Sequence, residues 1–341
     1  MTWRGCAADA GGSEPAAAPE IAAPLANLQA PLRWRLTADG SPSLSSDAFG
    51  QAFHCHSGAR REAEAKFMRP AQLQRFPPGS RLVVVEVCVG LGYNTAALLE
   101  GVSDHGLSLD WWGLELDPQP LALALGNPRF RDLWRPQTLT ALEQLRDRGH
   151  WRQAGLESGQ NSSGRWWLGD ARQQLHNLPR AVWGCCDLVL LDAFSPGQCP
   201  QLWTLEFLGH LAALLSPHGR LLTYCSAAAV RHALQRSGLQ LASLRPVHEQ
   251  TERRPAEAAQ PGRHWSDGTV ASPAALPSDA LLRHLDGMEQ EHLLTRAAVP
   301  YRDPLGNAEP EAIRTRRRLE QERNPALSST SAWRRRWGIE T

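Results

Sequence analysis

Lysine is almost missing from this chain of 341 residues: Lys66 is the only one, and every other basic residue is arginine. The bias runs through the whole sequence, so arginine at any single position says little about bidentate phosphate recognition. Long apolar runs are missing too. No stretch of about 18 apolar residues occurs, which leaves no candidate membrane-spanning helix, and the N-terminus lacks the charged-then-apolar layout of a secretory leader. Charge of one sign is not in excess: the formal net charge is +1, so no global field argues for or against a polyanionic partner. The seven cysteines are odd in number and form no C-x-x-C pair, which reads as reduced thiols in a cytoplasmic protein. His54-Cys55-His56 has no matching second half, so no metal site is expected. No G-x-x-x-x-G-K-[ST] loop is present, which argues against a P-loop nucleotidase. No G-x-S-x-G elbow is present either.

What the sequence does contain is an alternation of strands and helices. Leu82–Val87 is a short apolar, β-branched run, as expected for a strand buried on both faces. A glycine loop follows, then a helix from about Asn94 to Glu100. Leu109–Glu115 reads as a second strand, and Pro118 opens a Leu/Ala helix, where a first-turn proline fits. A further helix is expected from Thr140 to Arg148. Residues 151–164, ending in Gly-Gln-Asn-Ser-Ser-Gly, read as a loop insertion. Arg165–Leu168 and Asp187–Asp192 are strands, and 203–215 is a helix with apolar positions at Leu205, Leu208, Leu211 and Leu215. Pro217-His-Gly219 ends that helix, and a last strand starts at Arg220. Such alternation gives an α/β fold, a doubly wound parallel sheet with helices on both faces. Ligands of these sheets bind beyond the carboxyl ends of the strands. That rule singles out 86–94, Glu115, Gly169-Asp170 and 192–196.

Those ends carry suitable chemistry. In Glu86-Val-Cys-Val-Gly90-Leu-Gly92-Tyr-Asn94, small residues let the backbone approach a ligand, and the following helix offers free N–H groups. A structural turn would look similar. Glu115 ends the next strand about 20 residues on, where a carboxylate accepts ribose hydroxyls of a nucleoside cofactor. The alternative is a surface acid beside Asp117. Asp170 could take an adenine amino group or simply cap the helix that starts near Ala171. Asp192 ends an otherwise apolar strand, and a charge there must be paired or used.

These residues resemble the methyltransferase half of the MnmC family, which makes 5-methylaminomethyl-2-thiouridine at the tRNA wobble position. The family's E-T-G-F-G-T-G-L-N loop is matched by Glu86, Gly90, Gly92 and Asn94, with Cys88 where the family has its first glycine. The family's second-strand acid is matched by Glu115. Its F-L-D-G-F-A-P-x-x-N-P-x-M-W block is similar to Leu190–Trp203, with Asp192, Phe194 and Pro196 retained and Cys199 in place of the asparagine. Leu215–Gly219 and Thr223–Arg231 resemble its L-x-P-G-G and T-x-T-S-A-x-x-V-R runs. Ser57-Gly58-Ala59 with Glu62 and Glu64 resembles its entry segment. Glu289–Leu293 and Pro300–Pro304 resemble the tail of cyanobacterial members. The likeness covers roughly residues 45–275, and no FAD-dependent oxidase half is present, so a stand-alone methyltransferase is expected. The division expected is a disordered 1–30, a Rossmann-like class I methyltransferase domain at 31–275 and a basic C-terminal extension at 276–341.

The resemblance implies S-adenosylmethionine as cofactor, held by Glu86, Gly90, Gly92, Asn94, Glu115 and Asp170. It implies methyl transfer to the 5-aminomethyl group of a wobble uridine in tRNA, with separate enzymes installing that group. Asp192 is the candidate base, the Phe194-Ser-Pro196 turn shapes the pocket, and Phe194 or Trp203 could stack on the base. For Trp203, core packing is the plainer reading. Residues 311–341 hold eight arginines and four glutamates, so Arg334, Arg335 and Arg336 are candidate tRNA contacts, unless the tail is only a solvated helix. Two rivals stand beside this reading. An aminopropyltransferase of the spermidine synthase type shares runs like Glu115-Leu-Asp117-Pro118 and Asp170-Ala-Arg172. A non-catalytic tRNA-binding protein could keep the fold.

Overall fold

The computed structural model describes residues 31–154, 161–246 and 266–339. The expectation of disorder at 1–30 lies outside the described residues. Three short strands come first: β1 (Leu32–Leu36), β2 (Pro42–Ser46) and β3 (Gln51–Ala52) form an antiparallel sheet of their own. The main sheet is built from β4 (Arg81–Val87), β5 (Ser108–Glu115), β6 (His150–Gln153), β7 (Ser162–Leu168), β8 (Cys186–Leu191), β9 (Leu215–Thr223), β10 (Gln240–Leu244), β11 (Gly268–Ser272) and β12 (Leu282–His284). Their order is β12-β10-β11-β9-β8-β4-β5-β7-β6.

The parallel part is β9-β8-β4-β5-β7. The sheet as a whole is mixed, which corrects the expectation of a parallel one: β6 runs antiparallel to β7, and β11, β10 and β12 continue past β9 as antiparallel neighbours. Residues 151–164 are not simply a loop. Their two ends pair as β6 and β7, and residues 155–160 lie outside the described residues. Gly164 explains why the segment reads as a turn: a Cβ there would sit 2.2 Å from the Trp151 indole, so glycine is what lets that ring be buried in the sheet.

Leu205–Leu214 is the α-helix expected near 203–215. Thr204 caps it by accepting from the Phe207 amide at 3.3 Å, and a 3₁₀ turn, Pro200–Trp203, precedes it. Pro217-His-Gly219 does not separate helix from strand. It lies inside β9, beside a register shift opposite Cys186–Leu188, and a Cβ on Gly219 would meet the Cys186 carbonyl at 2.3 Å. Apolar side chains fill both faces of the sheet. Leu98, Leu109 and Leu142 pack on one face, and Val189, Leu208 and Leu234 on the other.

The boundary expected at 275/276 falls within this sheet, since β12 pairs with β10. Further ties join the C-terminal residues to the body. Arg231 and Glu289, both buried, form an ion pair at 2.7 Å, and Arg231 also donates to Thr269 Oγ1 at 2.9 Å. Ile313, on the helix Pro310–Glu322, and Trp333, on Thr330–Arg336, are buried. Among the described residues no helix is long and apolar enough to cross a membrane.

Candidate active site

A cavity of about 390 Å³ opens at the carboxyl ends of the parallel strands. Its walls bring together Gly90, Asn94, Glu115, Asp170, Asp192 and Phe194, from four segments far apart in sequence. The small N-terminal sheet supplies part of the opposite wall through residues 46–55.

The loop after β4 turns sharply because three of its residues take left-handed backbone: Cys88 (φ 67°), Gly90 (φ 55°) and Gly92 (φ 85°). The Cys88 amide is pinned to the Leu114 carbonyl at 2.9 Å. Cys88 thus holds a left-handed backbone that glycine would adopt without strain, at a cost of roughly 1–2 kcal/mol for a side chain in that region. Gly92 does not line the cavity. It is the first residue before the helix Tyr93–Asp104, where a Cβ would come within 2.8 Å of Leu121.

Glu86 also stays out of the cavity. It is fully buried beneath the loop, where its Oε2 accepts from Thr95 Oγ1 at 2.8 Å and Trp111 Nε1 at 2.9 Å. Burial raises its pKa to about 8, against the opposing pull of those two donors, so the acid is neutral at neutral pH. Its role is to brace the loop from below.

Glu115 lies at the cavity floor. Oε2 accepts from the Gly90 amide at 2.8 Å, and Oε1 from the amides of Leu116 at 2.7 Å and Asp117 at 2.9 Å. Burial raises its pKa and these N–H groups oppose the rise. A carboxylate offers about four acceptor sites, so one remains for a ligand hydroxyl, and a second opens if the Gly90 amide lets go. Asp170 lines the same end and caps its helix by accepting from the Arg172 amide at 2.9 Å. It is also paired with the Arg172 guanidinium at 2.6 Å, which reaches on to Asp303 at 2.7 Å.

Asp192 stands at the other end, hydrogen-bonded by Asn94 Nδ2 at 2.8 Å. Enclosure by protein, reinforced by the nearby Glu62 carboxylate, raises its pKa to about 7, while Asn94 and Lys66 pull it down. Phe194 stacks on Phe49 with ring centroids 4.5 Å apart and meets Phe53 edge-on at 5.0 Å. Pro196 does not line the cavity. Trp203 is core: it is fully buried, and its indole N–H donates to the Phe194 carbonyl at 2.8 Å, holding the turn from behind.

Arg334, Arg335 and Arg336 are not brought to this cavity. Arg336 pairs with Glu291, and the Trp333 ring is buried against His292, with centroids 4.0 Å apart. Upstream, Arg314 donates to the Gly197 carbonyl at 3.1 Å, and Arg317 to the carbonyls of Val299 and Ala297. Much of the basic tail is thus spent on holding the tail to the body.

Sequence reasoning missed four lining residues as site groups: His54, Glu62, Lys66 and Tyr224. His54 is half-buried, with a pKa lowered to about 4 chiefly by desolvation, and its Nδ1 is 2.9 Å from Ser43 Oγ. The signal for Lys66 was its singularity in an arginine-only chain. Among the described residues no group of three or more His, Cys, Asp or Glu side chains is arranged to hold a metal.

Comparison with known proteins agrees with this geometry. A family model for S-adenosyl-L-methionine-dependent methyltransferases matches residues 142–258. The matched segment lies within a fold shared with a class I S-adenosylmethionine-dependent methyltransferase. More particularly, the chain is 27% identical over 259 residues to the tRNA 5-methylaminomethyl-2-thiouridine biosynthesis bifunctional protein MnmC of Chromobacterium violaceum, covering 73% of this chain and 36% of that one. The MnmC of Azoarcus sp. is 28% identical over 220 residues, 60% of this chain and 32% of that one. The chain therefore spans about a third of the length of these curated relatives. The crystal structure of MnmC2 from Aquifex aeolicus superposes with a TM-score of 0.67 at 26% identity, covering 86% of each chain.

Proposed function

We propose that this protein methylates the 5-aminomethyl group of a wobble uridine, 2-thiolated or not, in tRNA. The observation that carries the reading is the pairing within one cavity of the Glu115 carboxylate, which keeps an acceptor site for a ligand hydroxyl, with a second carboxylate, Asp192, of pKa about 7 at the opposite end. Similarity to proteins named for 5-methylaminomethyl-2-thiouridine synthesis supports the choice of acceptor.

In this reading Glu115 holds the ribose, Asp170 faces the adenine, and the loop of Cys88, Gly90 and Asn94 closes on the amino-acid part of the cofactor. S-adenosylmethionine bound there would supply an electrophilic methyl on a sulfonium, which the amine lone pair would take as the S–C electrons return to sulfur and S-adenosylhomocysteine is released. Asn94 orients Asp192, which takes the proton that the amine must lose. Phe194, backed by Phe49, gives the base a flat apolar wall. The aminopropyl alternative needs a chamber for a polycation, and the Lys66 ammonium in the same cavity works against that. The substrate belongs to the cytoplasm, where separate enzymes install the aminomethyl group. Nucleoside mass spectrometry of tRNA from a deletion strain tests the proposal. Accumulation of the aminomethyl nucleoside and loss of its methylated form is expected, and unchanged nucleosides would overturn it.

A further inference from the structure

The Asp192 end of the cavity carries a charge pair that methyl transfer as set out above does not use. Lys66 lies on a six-residue π-helix, Ala63–Met68, set between the short helices Ala59–Glu62 and Arg69–Ala71. Single π turns of this kind are enriched at functional sites. Lys66 Nζ donates to Glu62 Oε1 at 2.6 Å and stands 5.7 Å from the centre of the Tyr224 ring. The other Glu62 oxygen accepts from the Cys55 amide at 2.8 Å, so the carboxylate is pinned from two sides. The ammonium has three N–H donors and, among the described residues, one hydrogen-bond partner. Glu62 and Lys66 both line the cavity.

Strand order locates the pair. Asp192 follows β8 and Tyr224 follows β9, the neighbour of β8 on the side away from β5 and Glu115. The Tyr224 hydroxyl donates to the Ala193 carbonyl at 2.8 Å, which ties the two strand ends together. Lys66 therefore borders the acceptor end, not the nucleoside end. A lysine there, 19% exposed, in a chain that uses arginine everywhere else, is a compact point charge with rotatable donors where a planar fork would not serve.

We infer that Lys66 is a substrate-recognition residue: its spare N–H donors take a ring carbonyl next to the reactive amine, while Glu62 and Asp192 flank that amine. The inference rests on the proposed reading, in which the uracil O4 carbonyl is adjacent to the carbon that bears the aminomethyl group. Once Asp192 is ionised, above about pH 7, two carboxylates and one ammonium among the lining side chains leave this end with one net negative charge, which suits an amine that arrives protonated.

The test is methyl transfer from labelled S-adenosylmethionine into tRNA bearing the aminomethyluridine, for the full chain, Lys66→Met, Lys66→Arg and the double variant Glu62→Gln/Lys66→Met. Cofactor affinity is measured alongside by calorimetry. Lys66→Met is expected to lose about 10- to 100-fold in kcat/KM, the loss of one hydrogen bond to a charged donor, with most of it in KM. Lys66→Arg recovers little. The double variant, which restores electroneutrality, stays at least tenfold down, and cofactor affinity holds within about twofold throughout. Recovery of the double variant to wild-type rates would overturn the inference, because Lys66 would then serve only to neutralise Glu62. Undiminished turnover by Lys66→Met would overturn it as well. Should Lys66→Met fail to fold, the double variant decides. Absence of transfer by the wild-type chain would count against the proposed function instead.

Discussion

Replacing Asp192 by asparagine keeps the volume and the planar shape of the side chain and removes the only feature the proposed chemistry needs from it, a proton-accepting oxygen of suitable basicity. The wild-type group has a pKa near 7 because it is enclosed and faces Glu62. At pH 6 about one-tenth of the molecules carry the carboxylate and at pH 8 about nine-tenths. Single-turnover methylation by the wild type should therefore climb with pH and level off above about 8, since the active form is the deprotonated one. Asp192→Asn should run about 10²- to 10⁴-fold slower, the usual worth of a positioned base, and lose the inflection near pH 7. The acceptor amine also loses a proton as pH rises, so slope alone does not identify the base. The difference between the two profiles does. Asn94 Nδ2 donates to Asp192 at 2.8 Å and can donate equally well to an amide oxygen, so the loop keeps its shape. Cofactor affinity by calorimetry should change less than about threefold, because Glu115 lies two strands away across β4. Turnover within about threefold of wild type, or an unchanged inflection near pH 7, would refute the assignment.

Glu115→Ala should weaken S-adenosylmethionine binding at least tenfold in a titration, as it removes a charged acceptor and frees the Gly90 amide that shapes the loop. Glu86→Gln should raise stability relative to wild type in a pH-dependent way. The native pKa of about 8 lies above the unfolded value, so the wild type loses stability as pH rises from about 4.5 to 8, by about 1.4 kcal/mol per unit at most, then levels off. Denaturant midpoints of the two proteins should diverge across that window, and parallel curves would mean that Glu86 ionises normally. Arg323→Ala/Arg334→Ala/Arg335→Ala removes three cations that have no hydrogen-bond partner among the described residues. It should flatten the plot of log tRNA affinity against log salt by about 0.7 to 0.9 per lost phosphate contact, and an unchanged slope would move the tRNA surface off the tail.

Residues that sit at strand ends were legible in the sequence because two local facts fix them: an apolar β-branched run marks the strand, and topology assigns its carboxyl end to the ligand side. Glu115, Asp170 and Asp192 were found that way, and Asp192 stood out as a charge ending a run of otherwise buried residues. Glu86 was found by the same rule but faces down, since the side chains of a strand alternate between faces and a carboxylate two residues before the turn packs under the loop, not above it. The antiparallel half of the sheet was not legible. β11 and β12 are short, and their pairing with β10 is set by contacts across the sheet, not by local pattern. Trp151 hid in an apparent loop because the glycine that makes room for it is also a turn signal.

The tail and Lys66 mark the limit of composition as a guide. Eight arginines beside two tryptophans read as a nucleic-acid handle, yet Arg314 and Arg317 donate to backbone carbonyls of the body, and Trp333 is core. Arginine has five donors and a long apolar stem, so it serves as a structural clamp as readily as a phosphate ligand. One lysine carried more information than all of those arginines, because a residue used once in a chain that otherwise avoids it is held by a local requirement. That requirement became visible only when the π-helical turn set it beside Glu62 and Tyr224, in a cavity whose other end holds Glu115.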